Sequence, residues 1–163
     1  MSAAELMAAL NTVEQDHRLV LDKIQALKET VCRLLDPEVN TAQVLDQLRE
    51  IHTYLATQFE AHMEEEETTL FPLLEQQHAE GLELAARLRQ EHAEIRRRRE
   101  EFVNCLWVAG DLEGGPPPMA LWDLLEYGWD LWEFLDNHAH VETRAVHQCL
   151  AHAYRNGAAS GQA

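Results

Sequence analysis

The stretch His62-Met-Glu-Glu-Glu66-Glu67-Thr-Thr-Leu-Phe-Pro72 places a histidine and a glutamate four residues apart in a long segment with helical periodicity. A second His-x-x-x-Glu pattern, from His138 to Glu142, occurs later in another such segment. Residues four apart in a helix lie on one face, about one turn apart. Each pattern therefore presents an imidazole beside a carboxylate, and both groups bind iron, zinc or manganese well. The repeat predicts a metal held between helices, or two metals bridged by the carboxylates.

Outward from these motifs, most of the chain has apolar residues at three- and four-residue steps, which is the pattern of amphipathic helices. The first, second and fourth predicted helices cover residues 3–35, 41–71 and 119–154. The third follows a connection at 78–81 and ends near 109. Thr41 is the expected N-cap of the second helix. A break is expected at Phe71-Pro72, because a proline ring clashes with the preceding turn. Residues 110–118 are rich in glycine and proline and predict a loop.

No stretch has the apolar–polar alternation of a strand, so the predicted fold class is all-α. Four helices with short connections form an up-and-down four-helix bundle. We expect one domain over residues 1–155, and a disordered tail at 156–163, where the residues are small and polar. Three tryptophans of the fourth helix are expected to serve as bulky packing residues: Trp122, Trp129 and Trp132.

The charge balance restricts the partners that this chain can bind. Thirteen basic residues stand against 29 acidic ones, and the net charge is −16. Such a surface repels nucleic acid and anionic membranes. No apolar run is long enough to span a bilayer, and the first residues lack the basic start and apolar core of a signal peptide. With three cysteines and no CxxC pair, these features predict a cytoplasmic protein and leave its oligomeric state open.

A count along the predicted helices places one histidine of each helix at nearly the same depth in the bundle. All four lie on the apolar stripes of their helices, and two helical glutamates accompany them. A single histidine on such a stripe is more often a satisfied core residue than a ligand. Unpaired carboxylates in a core carry a heavy desolvation penalty, which a cation removes. The candidate ligands are therefore His17, His62, Glu66, His92, His138 and Glu142.

Two charged runs near these residues need a separate interpretation. Among the four glutamates at 64–67, spacing makes Glu66 the inward member, and Glu67 is placed to support a ligand from outside. The arginines at 96–99 resemble a nucleic-acid patch in isolation. Acidic residues three or four positions away on the same helix favour ion pairs instead. The predicted pairs are Glu94–Arg98, Arg96–Glu100 and Arg97–Glu101.

These motifs resemble the hemerythrin-like family, also called HHE cation-binding domains. The stretch 62–72 is similar to the family's HxxxEExxLFP signature, and the resemblance extends over nearly the whole chain through Asp16-His17, Glu91-His92 and His138-x-x-x-Glu142. It implies a four-helix bundle around a non-haem di-iron centre with an oxo or hydroxo bridge. It implies that the four histidines ligate and that Glu66 and Glu142 bridge. Zinc or manganese are the possible substitutes for the two iron ions.

Two positions differ from the oxygen-carrying hemerythrins. Arg96 stands where those proteins have a fifth histidine, and Thr143 stands where they use an aspartate, so that Glu142 serves instead. A set of four histidines and two glutamates is more similar to the di-iron proteins that repair iron centres under nitric oxide and oxidative stress. The resemblance implies a protein that binds or senses a small diatomic ligand, O₂ or NO, or handles iron under such stress.

Two other functions fit the same residues. One is a redox enzyme that reduces nitric oxide or peroxide at the di-iron site, and the other is a structural bundle held together by zinc. No acid–base or organic-cofactor motif stands out in the sequence. We therefore expect a metal- and ligand-binding protein more than an enzyme.

Overall fold

The computed structural model describes the backbone of residues 3–76, 79–110 and 116–160, and the side chains of 18–76, 79–110, 116–148 and 151. Four helical rods account for this part of the chain. The first rod is α1 (Ala3–Cys32), which ends in a 3-10 turn (Arg33–Leu35). The second rod consists of α2 (Thr41–Tyr54), a π turn (Leu55–Phe59), α3 (Glu60–Glu65), a second π turn (Glu66–Leu70) and α4 (Phe71–Glu75). The third rod is α5 (Ala79–Gly110), and the fourth is α6 (Pro118–Ser160). Since the described ranges contain no strand, the predicted all-α fold class is confirmed.

The rods pack as a ring of neighbours. α1 contacts α2 and α6, and α5 contacts α2, α4 and α6. Consecutive rods that lie side by side and are joined by short connections must run antiparallel, so the predicted up-and-down bundle is confirmed. Gly128 allows α6 to approach α1 closely, because a Cβ atom at this position would lie 2.7 Å from Cγ2 of Val31.

A polar layer divides the bundle core. Two apolar clusters lie above and below it, and three of the rods pass from one cluster to the other. Between the two clusters, the apolar stripe of each of these three rods is interrupted by one or two buried polar residues. The stripes are Met63, Glu66, Leu70 in the second rod; Ile95, His92, Leu88 in α5; and Leu135, His138, Glu142, Val146 in α6. The helix pattern thus places polar groups of three rods at one level, within an apolar and therefore weakly screening environment.

The N-cap of α2 is Asn40, so the prediction of Thr41 is wrong by one residue. The Asn40 side chain accepts a hydrogen bond from the Gln43 backbone N–H at 3.2 Å. Asparagine is at least as favourable as threonine at this position, because its side-chain oxygen satisfies one of the free N–H groups of the first turn.

The predicted break at Phe71-Pro72 is also wrong, because the second rod stays helical through Glu75. The turn before Pro72 is a π turn, in which the Phe71 N–H bonds to the carbonyl of Glu66, five residues earlier. In a regular α-helix the proline ring would clash with the carbonyl group four residues earlier. The π turn adds one residue to the turn before Pro72 and so shifts the backbone carbonyls at this point. The rod therefore accommodates the proline without ending.

α6 ends at Ser160, past its predicted end at 154, and so extends into the segment that was predicted to be a tail. The last three residues lie outside the described part of the chain. The division into a domain at 1–155 and a disordered tail stays a prediction.

Among the described residues, no helix combines the length and the apolar character that crossing a membrane requires.

Two of the three tryptophans that we expected to serve as bulky packing residues are at the surface of the bundle. Trp122 is 62% exposed and Trp129 is 40% exposed, whereas Trp132 packs against the larger apolar cluster. Leu124 and Leu131 are buried on the core-facing side of the same helix. The two exposed tryptophans each precede one of these leucines by two positions, about 200° around the helix, and so face away from the core.

Candidate metal centre

Both His-x-x-x-Glu pairs form as the sequence predicts. Nε2 of His62 lies 3.0 Å from Oε1 of Glu66, and Nε2 of His138 lies 3.3 Å from Oε2 of Glu142. His62 belongs to α3, and Glu66 is the first residue of the second π turn. In both pairs a continuous helical backbone holds the two side chains one turn apart on the same face.

His92 of α5 joins the two pairs into one cluster. Its Nε2 atom lies 3.4 Å from Oε2 of Glu66. The ring centroids of His92 and His138 are 5.1 Å apart, and donor atoms of His92, His138 and Glu142 all lie within 4.8 Å of one another. Five of the six candidate ligands are therefore brought together. The sixth, His17, is on α1, and its side chain lies outside the described residues.

The cluster is almost entirely shielded from water. His92 is 0% exposed and Glu142 is 1% exposed, and Thr30 is the one buried polar residue within the described ranges that does not belong to the candidate set. Phe71 packs beside the His92 ring with a centroid distance of 5.2 Å. Charged side chains are rarely buried in this way unless a partner or a metal compensates them.

The hydrogen bond at Nδ1 of His92 leaves its Nε2 atom available as a ligand. Nδ1 lies 2.8 Å from Oε1 of Glu67, so a neutral ring donates the Nδ1 proton to that carboxylate and carries a lone pair on Nε2. Within the described part of the chain, this buried Nε2 has no hydrogen-bond partner, and it faces the Glu66 carboxylate. A cation between Nε2 of His92 and Oε2 of Glu66 would remove the repulsion between these two acceptor atoms. The residues therefore fit a metal.

A proton on His138 supplies part of this compensation in the metal-free chain. Burial alone would lower the pKa of His138, but hydrogen bonds to Glu142 and Glu91 and their charges outweigh burial and raise it to about 9. Below that pH the imidazolium is a counterion for both carboxylates. A metal that binds at Nε2 must displace this proton, as is general for histidine ligands.

Two carboxylates outside the cluster orient the histidine rings. Glu67 holds Nδ1 of His92, as described above, and Oε2 of Glu91 lies 2.8 Å from Nδ1 of His138. Such partners fix the ring orientation and raise the basicity of the ligating nitrogen. Glu67 is thus bonded to a candidate ligand from outside the cluster, as the sequence predicts; that it supports metal binding stays a prediction. Glu91 was not predicted in this role: it precedes His92 in sequence, but its side chain reaches across to α6.

Arginines on α5 hold this outer layer in place. Arg96 donates from Nε to Glu60 at 2.6 Å and from Nη1 to Glu67 at 2.9 Å, and Arg99 donates to Glu60 and to the carbonyl of Leu55 in the first π turn. Burial alone would raise the pKa of Glu67, but hydrogen bonds from Arg96 and His92 and the charge of the Arg96 guanidinium lower it below its ordinary value. Arg96 adds no donor atom for a metal, since a guanidinium has no free lone pair.

The remaining arginines form the predicted ion pairs along α5. Arg98 bonds to Glu94 at 2.8 Å, and Arg97 pairs with both Glu94 and Glu101. The predicted pair Arg96–Glu100 is wrong. The Arg96 side chain bonds instead to Glu60 and Glu67 of the second rod. Attraction to half-buried carboxylates is less screened by water than attraction to an exposed one.

The family model described as "Hemerythrin HHE cation binding domain" matches residues 8–150. The chain belongs to this hemerythrin family. No curated protein and no solved structure matches it significantly. The matched range includes all six candidate ligands of this hemerythrin domain. Membership establishes the binding of metal cations, typically iron, and the buried His92–His138–Glu142 group is a site of suitable composition.

Replacing Glu67 by glutamine is expected to lower the metal affinity of this hemerythrin domain by about 10- to 100-fold, because the carboxylate that orients His92 and balances Arg96 is lost. Competition with a chromophoric chelator measures the change. Glu65→Gln is the matched control, since Glu65 is exposed and its replacement removes the same charge from the run of glutamates at 64–67. Equal affinities for Glu67→Gln and the unaltered chain would contradict an orienting role.

Proposed function

We propose that this hemerythrin domain holds two iron ions with His17, His62, Glu66, His92, His138 and Glu142. The centre then binds or senses a small diatomic ligand, O₂ or NO, or handles iron under oxidative or nitrosative stress. The observation that carries the proposal is the buried layer of imidazole and carboxylate atoms between two apolar clusters. Four imidazoles and two carboxylates fill only part of two coordination spheres, so bound iron would supply an open position for such a ligand.

The geometry of Glu66 supports a bridging role. Its Oε1 atom lies 3.0 Å from His62, and its Oε2 atom lies 3.4 Å from His92. A carboxylate whose two oxygens face different histidines is suited to contact two metals, each with its own imidazole. We assign Glu142 the corresponding role for His138, 3.3 Å away.

Access to the centre supports a small ligand. A groove of about 260 Å³ lies between α1 and the second rod, and His62 and Tyr54 form part of its wall. Its wall combines the apolar Leu19 and Val20 with the polar Gln58 and Glu65, and its volume is below the usual range for pockets that hold drug-sized ligands, so it suits a small molecule better than a large organic substrate. The expected cytoplasmic location, and the expected lack of a nucleic-acid or membrane partner, belong to the same proposal.

Anaerobic reconstitution with ferrous iron tests the proposal. We expect about two iron ions per chain by elemental analysis, as in other bundles with a di-iron carboxylate site. The double variant His62→Ala/His138→Ala should lose most of this iron, because it removes one imidazole from each His-x-x-x-Glu pair. A stoichiometry that stays near one, or that the double variant leaves unchanged, would contradict a di-iron centre.

The same sample separates the remaining functions. We expect the absorption spectrum of the reduced, iron-loaded protein to change when O₂ or NO is added. No response to either gas would favour a structural bundle, in which zinc supports the fold equally well. Repeated consumption of NO or peroxide with an added reductant would favour the redox enzyme instead.

A further inference from the structure

An aromatic groove lies along the N-terminal half of α6, away from the candidate metal centre near the middle of this helix. Trp129 precedes His138 by nine residues, which places it about 13 Å from the centre along the helix, and Trp122 is further away still. The groove has a volume of about 650 Å³. We call it the tryptophan groove, and its wall includes Leu35, Trp122, Glu126, Trp129, Asp130 and Glu133.

The apolar members of the tryptophan groove are unusually exposed. Trp122 is 62% exposed, and Leu35 across the groove is 58% exposed. Both also line a second depression, which extends the apolar surface towards Pro37 and Pro118. Contiguous exposed apolar surface on a soluble domain marks an interaction site, and tryptophan is the residue most enriched where such sites contribute affinity.

Carboxylates alternate with the tryptophans along the groove. Trp122, Glu126, Trp129 and Glu133 follow one another at steps of four, three and four, and therefore lie along one face of α6. Asp130 already pairs with Arg98. Glu126 and Glu133 are exposed and form no ion pair within the described part of the chain. One helix face thus offers an aromatic ring and an unneutralised carboxylate in turn.

The chain itself provides an example of the contact that this face can make. Nζ of Lys28 lies 4.2 Å from the ring centroid of Trp132 and 5.9 Å from that of Trp129. An ammonium group at such a distance is attracted by the negative face of the ring. Trp132, which lies beside the groove, therefore already binds a cation supplied by α1, and the same ammonium group reaches the ring of Trp129 in the groove wall.

We propose that the tryptophan groove docks a basic helical segment of a partner protein. Its lysine or arginine side chains, spaced at three- and four-residue steps, would lie over Trp122 and Trp129 and pair with Glu126 and Glu133. A second copy of this chain is disfavoured as the occupant, because each copy carries a net charge of −16 and its own groove carboxylates. Nucleic acid and anionic membranes are disfavoured by the same sign of charge.

The test uses the metal-loaded full chain and an amidated alanine-based peptide, with arginines at alternating four- and three-residue steps. We expect binding that quenches tryptophan fluorescence and weakens as salt is raised. The peptide with glutamines in place of the arginines should not bind. Trp122→Ala should weaken binding about tenfold, and should leave the melting temperature nearly unchanged because this side chain is mostly exposed.

A matched pair of double variants separates the groove from general charge attraction. Glu126→Gln/Glu133→Gln should weaken peptide binding about tenfold. Glu83→Gln/Glu100→Gln removes the same charge from exposed positions on α5 and should change it less than about twofold. Equal losses in the two variants, or no binding by the unaltered chain, would overturn the proposal. Concentration-dependent dimerisation that Trp122→Ala abolishes would overturn it too, and would assign the groove to a second copy.

Discussion

Glu66→Gln is expected to lower the affinity of the chain for iron more than about a hundredfold, beyond the range for partners that only orient a ligand. A neutral amide coordinates iron poorly and cannot offer two equivalent anionic oxygens. Glu66 faces both His62 and His92, so this single change removes a contact from each proposed metal position. The bound iron should fall from about two ions per chain to one or none.

Glu64→Gln is the control for this prediction. Glu64 belongs to the same glutamate run and is exposed, so its replacement removes one charge and leaves the cluster intact. Elemental analysis after gel filtration and a chelator competition measure both variants side by side. Equal losses of iron from Glu64→Gln and Glu66→Gln would show that overall charge, and not the position of Glu66, controls metal binding.

The sequence predicted which side chains of three helical rods come together, because metal ligation restricts spacing; that these side chains bind metal stays a prediction. A histidine and a carboxylate on one helix must be about four residues apart to face the same ion, and this pattern is visible in a single sequence. The common depth of His62, His92 and His138 followed from counting residues at the helical rise. The contribution of His17 rests on the same count, and it stays a prediction.

Contacts between helices were less predictable than spacing within one helix. Glu91 orients His138 on α6 and not its sequence neighbour, and Arg96 reaches Glu60 and Glu67 on another rod. Both depend on how the helices are rotated about their axes. Long side chains on one helix have several partners within reach, so sequence distance does not select among them.

The π turns show a second limit. Each adds one residue to a helical turn, and a stripe with mixed steps of three and four residues absorbs this residue without an obvious change of pattern. The π turn at Glu66–Leu70 explains why Pro72 does not end the rod. It also begins at a predicted ligand, consistent with the tendency of π turns to occur at functional sites.

Removing the metal is expected to lower the melting temperature by about 5–10 °C. A ligand present at about 100 times its dissociation constant stabilises the folded state by about 2.7 kcal/mol, and a chain of this size shifts by about 2–4 °C per kcal/mol. The physical source is the buried layer, in which the carboxylates of Glu66 and Glu142 lie beside histidine side chains and a bound cation would add compensating positive charge. The raised pKa of His138 means that a proton replaces part of the metal charge, so the metal-free chain should still fold.

Calorimetry of chelator-stripped and iron-loaded protein at the same pH measures this difference. Glu66→Gln is the appropriate control, because a chain that does not retain iron should melt at the same temperature with and without it. If the unaltered protein, verified to be metal-free, melts at the temperature of the loaded form, the buried carboxylates and imidazoles must satisfy one another through shared protons. The polar layer would then stabilise the bundle by itself, and the cation would add function without stability.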